Sequence, residues 1–290
     1  MPGVAVVTDS TSSLAPAVAE QAGVVVVPLQ VIVDGTSRPE SFRPGLGTLT
    51  PGAVAAALRE GRTVSTSRPA PEAFSSAYAA AAERGASAIV SVHLSGAISS
   101  TRDAAELAAR TAPIPVTVVD SRTVASGCGF AALAAAAAAA EGASAEEVAE
   151  IARRRAAASV TYFCVESLEY LRRGGRIGAA AAMLGSALAV KPLLTVVDGE
   201  IRPYERVRTE SKALTRLEEL SLGALARMTA RNRAVDVAVH HLDNSDGARR
   251  LADRLGAEVR VGDVVISEVS AVLGVHVGPG TVGIVVSPRI

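Results

Sequence analysis

Hydroxyl side chains gather in four short polar segments of the sequence, and together they could orient a bound anion. The segments are Thr8-Asp9-Ser10-Thr11, Ser65-Thr66-Ser67-Arg68-Pro69, Ser95-Gly96 with Ser99-Ser100-Thr101, and Asp120-Ser121. Ligands of parallel α/β sheets lie beyond the carboxyl ends of the strands, where we place these segments. Any one of them could simply cap the next helix. Four at one sheet edge instead predict a rim of neutral hydrogen-bond donors, which suits an anion that lacks a full counter-charge.

Other kinds of site find little support in the sequence. It has no G-x-x-x-x-G-K-[ST] phosphate loop, which excludes nucleotide binding by that route, and no G-x-S-x-G turn, which disfavours an α/β-hydrolase. The run His240-His241-Leu242-Asp243 could supply metal ligands, but no second ligand cluster accompanies it. A polar strand end explains the run more simply, so we predict neither a cofactor nor a metal.

Strand-like and helix-like runs alternate along the first half of the chain. The predicted strands are Val4 to Val7, Val24 to Val27, Leu29 to Val33, Ile89 to Leu94 and Val116 to Val119. The predicted helices run from Thr50-Pro51 to Gly61, from Pro71-Glu72 to Arg84, from about residue 99 to 111, over the alanine tract Ala131 to Ala140, and from about Glu146 to Arg155. This alternation predicts a parallel sheet flanked by helices, in a first domain over residues 1–157.

The pattern changes after about residue 158. Strands are predicted at Val160 to Val165, Val190 to Val197, Glu200 to Arg208, Val235 to His240, Val264 to Ile266 and Val282 to Val286, with helices from Glu210 to about Arg231 and near Ala248 to Leu255. Asp198-Gly199, between two of these strands, is a strong hairpin signal. Hairpins mixed with helices predict a second α/β domain, with a mixed or antiparallel sheet, over residues 158–290.

Charge and composition limit the partners and the location of the protein. Lys and Arg together number 29, as do Asp and Glu, so no net field attracts nucleic acid or an anionic membrane, although transient membrane contact is compatible with this balance. Cys128 and Cys164 lie far apart and are predicted to be buried free thiols in a reducing cytosol. The N-terminus lacks a signal peptide pattern, and the alanine tract is too short to span a membrane. We therefore expect a cytoplasmic protein.

Seven segments in a fixed order give the chain its resemblance to a known family. They are VVTDSTSSL (6–14), TSRPAP (66–71), HLSGAISST (93–101), VVDSRTVASGCG (118–129), YLRRGGRIG (170–178), KPLL with VRT (191–194 and 207–209) and HVGPGTVG (276–283). In this order they resemble the motifs of the DegV family over nearly the full length. The resemblance implies a two-domain α/β protein that buries a long-chain fatty acid, with the carboxylate near the domain junction.

The same resemblance implies a role in phospholipid synthesis. Some family members present their fatty acid to a separate ATP-binding fatty acid kinase subunit, which makes an acyl phosphate. In that scheme this bacterial chain would be the lipid-carrying subunit rather than an enzyme, and the absence of a phosphate loop agrees with it.

Site residues follow from matching the motifs. Thr66 and its neighbour Ser67 match the threonine and serine of the family's T-S-Q-P-S, and His276 matches the histidine of H-x-G-P-G. The family's L-S-G-T can be aligned in two ways, which place either Ser95 or Ser99 at the carboxylate. We prefer Ser99, because a threonine then follows at the family's position. The resemblance thus implies that these hydroxyls and the imidazole bind the carboxylate.

Arg176 matches the arginine of the family's G-G-R-I and would lie near the mouth of the site, where it could neutralise a phosphate on the acyl group or contact the kinase.

Two other functions remain open. A serine hydrolase or transferase could use Ser99 or Ser121 as nucleophile with His276 as base near Asp9 or Asp120. A lipid-responsive regulatory protein would contain the same residues, and its sequence would look the same.

Overall fold

The computed structural model describes residues 3–45, 47–183, 190–230, 234–258 and 264–290. The strands in this part of the chain are β1 (Val4–Asp9), β2 (Val24–Val27), β3 (Gln30–Val33), β4 (Thr36–Pro39), β5 (Val64–Ser67), β6 (Ala88–His93), β7 (Val116–Asp120), β8 (Val160–Cys164), β9 (Lys191–Val197), β10 (Glu200–Val207), β11 (Val235–His241), β12 (Val265–Glu268) and β13 (Val282–Pro288). The α-helices are α1 (Pro16–Gln21), α2 (Pro51–Arg59), α3 (Pro71–Glu83), α4 (Thr101–Ala109), α5 (Ser126–Ala140), α6 (Ala145–Ala158), α7 (Glu169–Arg173), α8 (Glu210–Thr229), α9 (Ser245–Glu258) and α10 (Ala271–Val277).

The first sheet is parallel and has the order β2-β1-β6-β7. Its strands are nearly continuous apolar runs because helices cover both faces of the sheet. Helices α5 and α6 pack on one face around Val6 and Val90, and helices α3 and α4 pack on the other face around Val7 and Ile89. The predicted parallel sheet flanked by helices is therefore confirmed.

The second sheet has six strands in the order β10-β9-β8-β13-β11-β12 and is antiparallel except for the pair β11–β12. Helices α8 and α9 cover one of its faces. Asp198 and Gly199 join β9 to β10 with φ angles of 55° and 84°, and left-handed values at both central residues are typical of a two-residue hairpin turn. The predicted second α/β unit with a mixed sheet is confirmed. The division into domains 1–157 and 158–290 stays a prediction.

A third, antiparallel sheet of order β4-β3-β5 was not predicted. Residues 65–67 were expected to form a loop beyond a parallel strand, and this prediction is wrong because they belong to β5. The strand is short and mostly hydroxyl-bearing, so it lacks the apolar pattern by which strands are recognised. The small sheet packs against α2 and α10 through Val31, Val54 and Val272.

Helix α10 replaces part of the end that was predicted to be β-rich. Its residues alternate β-branched side chains with Gly274 and His276, which is a poor helix pattern. The Ser270 side chain caps its start by accepting from the Leu273 N–H at 3.2 Å, and packing on α2 supplies the remaining stabilisation. Elsewhere the boundaries shift by a few residues, and the predicted helix end at Arg231 lies outside the described residues.

The alanine-rich helix α5 lies in the interior of the protein. Ala131, Ala132 and Ala135 are fully buried, and α5 contacts α6, β1 and β13. Small side chains allow these close contacts on several sides of one helix. Cys128 and Cys164 are free and buried, which confirms that part of the prediction. Among the described residues, no helix is both long and apolar enough to cross a membrane.

Candidate functional site

A cavity of about 330 Å³ lies between the six-stranded sheet, the loops that follow β6 and β7, and helix α10. This volume is in the range of small-molecule sites in proteins. Apolar side chains from both halves of the chain form most of its wall. They include Leu29, Leu94, Ile98, Val124, Phe163, Val196, Ile201, Leu273 and Val285. A cavity of this composition suits a ligand with a substantial apolar part.

Part of the cavity wall is a row of residues that are register partners on neighbouring strands. Residues His240, Gly283 and Phe163 are direct partners on β11, β13 and β8, and all three line the cavity. A Cβ atom on Gly283 would lie 3.1 Å from the Phe163 Cβ. The missing side chain therefore leaves space above the middle of the sheet.

The cavity is also lined by Thr66 on β5 and His276 near the end of α10, whose side chains contact each other. The distance between Thr66 Oγ1 and His276 Nε2 is 2.9 Å. Burial, with a smaller contribution from the nearby Arg176 guanidinium, lowers the pKa of His276 to about 4. The imidazole is therefore neutral at pH 7.

The environment of the second His276 nitrogen decides where its proton lies. His276 Nδ1 is buried without a hydrogen-bond partner, and a Cβ atom on Gly174 would lie 2.2 Å from it. An unpaired buried N–H is rarer in proteins than an acceptor with an unused lone pair. We therefore assign the proton to Nε2, which donates to Thr66 Oγ1. The hydroxyl hydrogen of Thr66 is then available to a ligand in the cavity.

The two serines of the alternative alignments occupy different environments. Ser99 lies on the cavity wall, and its Oγ atom is 2.9 Å from Thr101 Oγ1. Ser95 is fully buried and does not belong to the wall. Its hydroxyl donates to the Gly199 carbonyl at 2.7 Å and accepts from the Ala97 N–H at 3.2 Å. Ser95 thus joins the end of β6 to the β9–β10 turn, while Ser99 faces the cavity.

Three further charged or polar side chains border the cavity. Ser67 and Arg68 are exposed at its edge, and the Ser67 hydroxyl donates to the Arg68 carbonyl at 3.1 Å. Arg176 is half-buried and donates through Nε to the Ile98 carbonyl at 3.0 Å and through Nη1 to the Gly174 carbonyl at 2.6 Å. Within the described residues its Nη2 atom has no protein partner.

A second depression of about 490 Å³ shares Thr66, His276 and Arg176 with the cavity. Arg62 and Arg173 also line this depression, which we call the arginine groove. The Thr66–His276 pair therefore borders both the apolar cavity and the arginine groove. Arg62 is ion-paired with Asp34 at 2.8 Å, and Arg173 with Glu169 at 2.7 Å.

The structure brings together only part of a serine hydrolase site. Ser99 and His276 line the same cavity, but no hydrogen bond joins them in the described part of the chain. Ser121 is buried, and its hydroxyl donates to the Thr123 carbonyl at 3.4 Å. Asp9 accepts from the buried His93 at 2.9 Å rather than from His276. In the described part of the chain no carboxylate lies within ion-pair distance of His276. The geometry gives the hydrolase hypothesis no support.

In the histidine run at the end of β11, His240 forms hydrogen bonds with side chains of other elements. The distance from His240 Nε2 to Ser126 Oγ is 2.9 Å, and that from Nδ1 to Ser267 Oγ is 3.0 Å. Burial lowers the pKa of His240 to about 4, so its ring is also neutral at pH 7. The described residues contain no group of three or more potential metal ligands.

Sequence reasoning predicted His276 but missed the other cavity-facing residues of α10 and those of the sheet. Val272 and His276 are one helical turn apart and both line the cavity, but α10 itself was not predicted. Gly283 ends the HVGPGTVG segment, so the motif contained it, while its role depends on its partner Phe163.

The fold and the site together define an α/β protein with an internal apolar cavity that is bordered by hydroxyls, a neutral imidazole and an arginine. A family model described as "Uncharacterised protein, DegV family" matches residues 3–289. The chain belongs to the DegV family.

Similar proteins extend over the whole chain. A DegV domain-containing protein of Streptomyces coelicolor is 49% identical over 287 residues, which cover 99% of each chain. A solved structure from Thermus thermophilus, described as fatty acid binding of a DegV family protein, is 36% identical with a TM-score of 0.86 and covers 99% of each chain. A structure from Bacillus subtilis, described as DegV, a fatty acid binding protein, is 30% identical with a TM-score of 0.88 and covers 99% of this chain and all of that one.

Proposed function

We propose that this protein binds a long-chain fatty acid, with the acyl chain in the apolar cavity and the carboxylate beside Thr66. The observation that carries the proposal is the Thr66–His276 hydrogen bond at the border of a cavity whose wall is mostly apolar. The descriptions of the Thermus thermophilus and Bacillus subtilis relatives as fatty-acid-binding proteins support it.

The polar groups match the needs of a carboxylate. A carboxylate has about four lone-pair sites, and each needs a donor once the group leaves water. The Thr66 hydroxyl supplies one donor, because His276 already donates to its oxygen. Ser99 and the Nη2 atom of Arg176, which has no protein partner among the described residues, are further donors at the edge of the cavity. Ser67 becomes one only if its hydroxyl turns away from the Arg68 carbonyl. In this proposal His276 acts mainly by orienting Thr66.

The acyl chain provides most of the binding free energy. At about 0.8 kcal/mol for each buried CH₂ group, a long saturated tail contributes on the order of 10 kcal/mol before the costs of ordering it. The polar contacts therefore select and orient the carboxyl end.

Presentation of the acid to a separate fatty acid kinase is the second part of the proposal. The arginine groove supports it, because the groove and the apolar cavity share Thr66, His276 and Arg176. A carboxylate at this pair would be near cationic side chains that can neutralise an incoming phosphoryl group. The chain would then act as the carrier, and the kinase would supply the ATP site.

Native mass spectrometry of the purified protein tests the lipid-binding proposal. We expect a mass increase that corresponds to one fatty acid per chain, which disappears after solvent extraction and returns on incubation with palmitate. Protein that carries no acyl chain when purified, and none after incubation, would refute the proposed function.

A further inference from the structure

Glu40 is a buried carboxylate outside every segment that the sequence singled out. Only 5% of its surface is exposed, and no Lys, Arg or His of the described residues pairs with it. Burial raises the pKa of its carboxyl group, and the Asp9 carboxylate adds to that rise. Hydrogen bonds from Ser10, Val272 and Ser270 oppose it, and the resulting pKa is about 7. Burying an acidic side chain without a counter-charge costs free energy. Other interactions of Glu40 must therefore offset this cost.

The hydrogen bonds of Glu40 join three segments of the chain. Its Oε2 atom accepts from the Val272 N–H in the first turn of α10 at 2.8 Å, and its Oε1 atom accepts from the Ser10 hydroxyl. The Ser10 oxygen in turn accepts from the Leu29 N–H at 2.8 Å. The Glu40 N–H donates to the Leu29 carbonyl at 2.9 Å, which closes a ring through Glu40, Ser10 and Leu29.

Two of these segments are close in sequence or strand register to residues of the proposed carboxylate site. Val272 precedes His276 by one turn of α10, and both face the cavity. Leu29 immediately precedes β3, on which Val31 is the register partner of Thr66. Glu40 therefore joins α10, which carries His276, to the segment before β3, and β3 in turn pairs with β5, which carries Thr66.

We infer that Glu40 is a positioning residue for the fatty acid carboxylate. It fixes α10 against the small sheet so that His276 orients the Thr66 hydroxyl toward the ligand. This inference rests on the proposed fatty acid site and adds to it a residue that does not contact the ligand. A glutamine has nearly the same shape and can still accept from the Val272 N–H, whereas an alanine leaves that group and the Ser10 hydroxyl without their partner.

The test compares the affinities of palmitate and hexadecanol, which share an apolar chain but differ in the carboxylate. We expect Glu40→Ala to weaken palmitate binding at least about tenfold and to change hexadecanol binding by no more than about twofold. Glu40→Gln should restore palmitate affinity to within about threefold of the original protein. Val148→Ala removes buried core volume in α6, away from the cavity, and serves as the control for a general loss of stability.

A parallel loss of both ligands in Glu40→Ala, or no loss of palmitate affinity, would overturn the inference. If Glu40→Ala does not fold, Ser10→Ala removes one partner of Glu40 and must show the same selective loss for palmitate. The original protein binding neither ligand would instead refute the proposed function, so the two failures are distinguishable.

Discussion

At the scale of single residues, the proposed carboxylate site relies mostly on uncharged donors. Burial holds the pKa of His276 near 4, so the ring remains neutral, and Thr66 and Ser99 add hydroxyls. Arg176 is the half-buried cation at the border of the cavity, and it is partly engaged by backbone carbonyls. Neutral donors orient an anion with less attraction than buried ion pairs provide, which suits a carboxylate that must remain available to a reaction partner.

The two candidate serines should respond differently to substitution. Ser99→Ala removes a hydroxyl from the wall of the cavity, so we expect palmitate affinity to fall about three- to tenfold with little change in stability. Ser95→Ala leaves the Gly199 carbonyl without its donor, so we expect a loss of about 1–2 kcal/mol in the free energy of unfolding and unchanged affinity. Palmitate titration and denaturant unfolding measure both effects, and the reverse pattern would assign the site to Ser95.

The choice between these serines could not be made from the sequence. They lie four positions apart in one polar loop, and either fits the family motif. The partner that occupies Ser95 is Gly199, 104 positions along the chain, and the hydrogen bond from His276 to Thr66 spans 210 positions. Contacts between distant segments of this kind leave no local pattern in the residues that make them.

At the scale of elements, the six-stranded sheet shapes the cavity. The wall extends from Ile201 on β10 to His240 on β11, across five neighbouring strands. With strands about 4.8 Å apart, these four spacings amount to roughly 19 Å. An extended acyl chain of about sixteen carbons has a similar length, given C–C bonds of about 1.5 Å in staggered conformation. Gly283 lies near the middle of this span and has no side chain to project from the sheet into the cavity.

We therefore expect Gly283→Val to shorten the acyl chain that the protein prefers. The new side chain would meet Phe163 and project over the floor of the cavity, so bound acids should become shorter by about two to four carbons. Mass spectrometry of the extracted lipids measures the shift. Gly256→Ala, on the exposed surface of α9, is the control. An unchanged chain-length distribution in a folded Gly283→Val protein would show that the ligand does not cross this strand.

Elements were predictable where local signals are strong. Apolar runs in the sequence predicted the parallel strands, and Asp198-Gly199 predicted the hairpin between β9 and β10. Strand β5 and helix α10 were missed, because the first has little apolar character and the second has poor helix propensity. Both are stabilised by packing against α2 and against each other, and such tertiary contacts override local preference. These are also the two elements that supply Thr66 and His276.

At the scale of the whole molecule, the site is assembled from both halves of the chain. Thr66 and Ser99 come from the first half, while Arg176 and His276 come from the second and reach across to contact Ile98 and Thr66. The arginine groove lies at the same junction. A partner that docks over this groove would meet the carboxyl end of a bound acid while the tail stayed enclosed.

Presentation to a kinase predicts a defect in acyl transfer on substitution of Arg176. Arg176→Lys keeps the charge but loses the planar fork, so acyl phosphate formation should fall at least about tenfold while palmitate affinity falls no more than about threefold. The assay combines the loaded protein with a bacterial fatty acid kinase subunit and ATP, and traps the product with hydroxylamine. Arg153→Lys, on the exposed side of α6, is the control. Equal rates for Arg176→Lys and the original protein would remove Arg176 from this step.

The most direct test of the central claim is a crystal structure of the protein loaded with palmitate. We expect elongated density within the cavity, with a carboxylate oxygen about 2.7 Å from Thr66 Oγ1 and the tail over Gly283. A carboxylate bound beside His240, or an acyl chain outside the cavity, would contradict it.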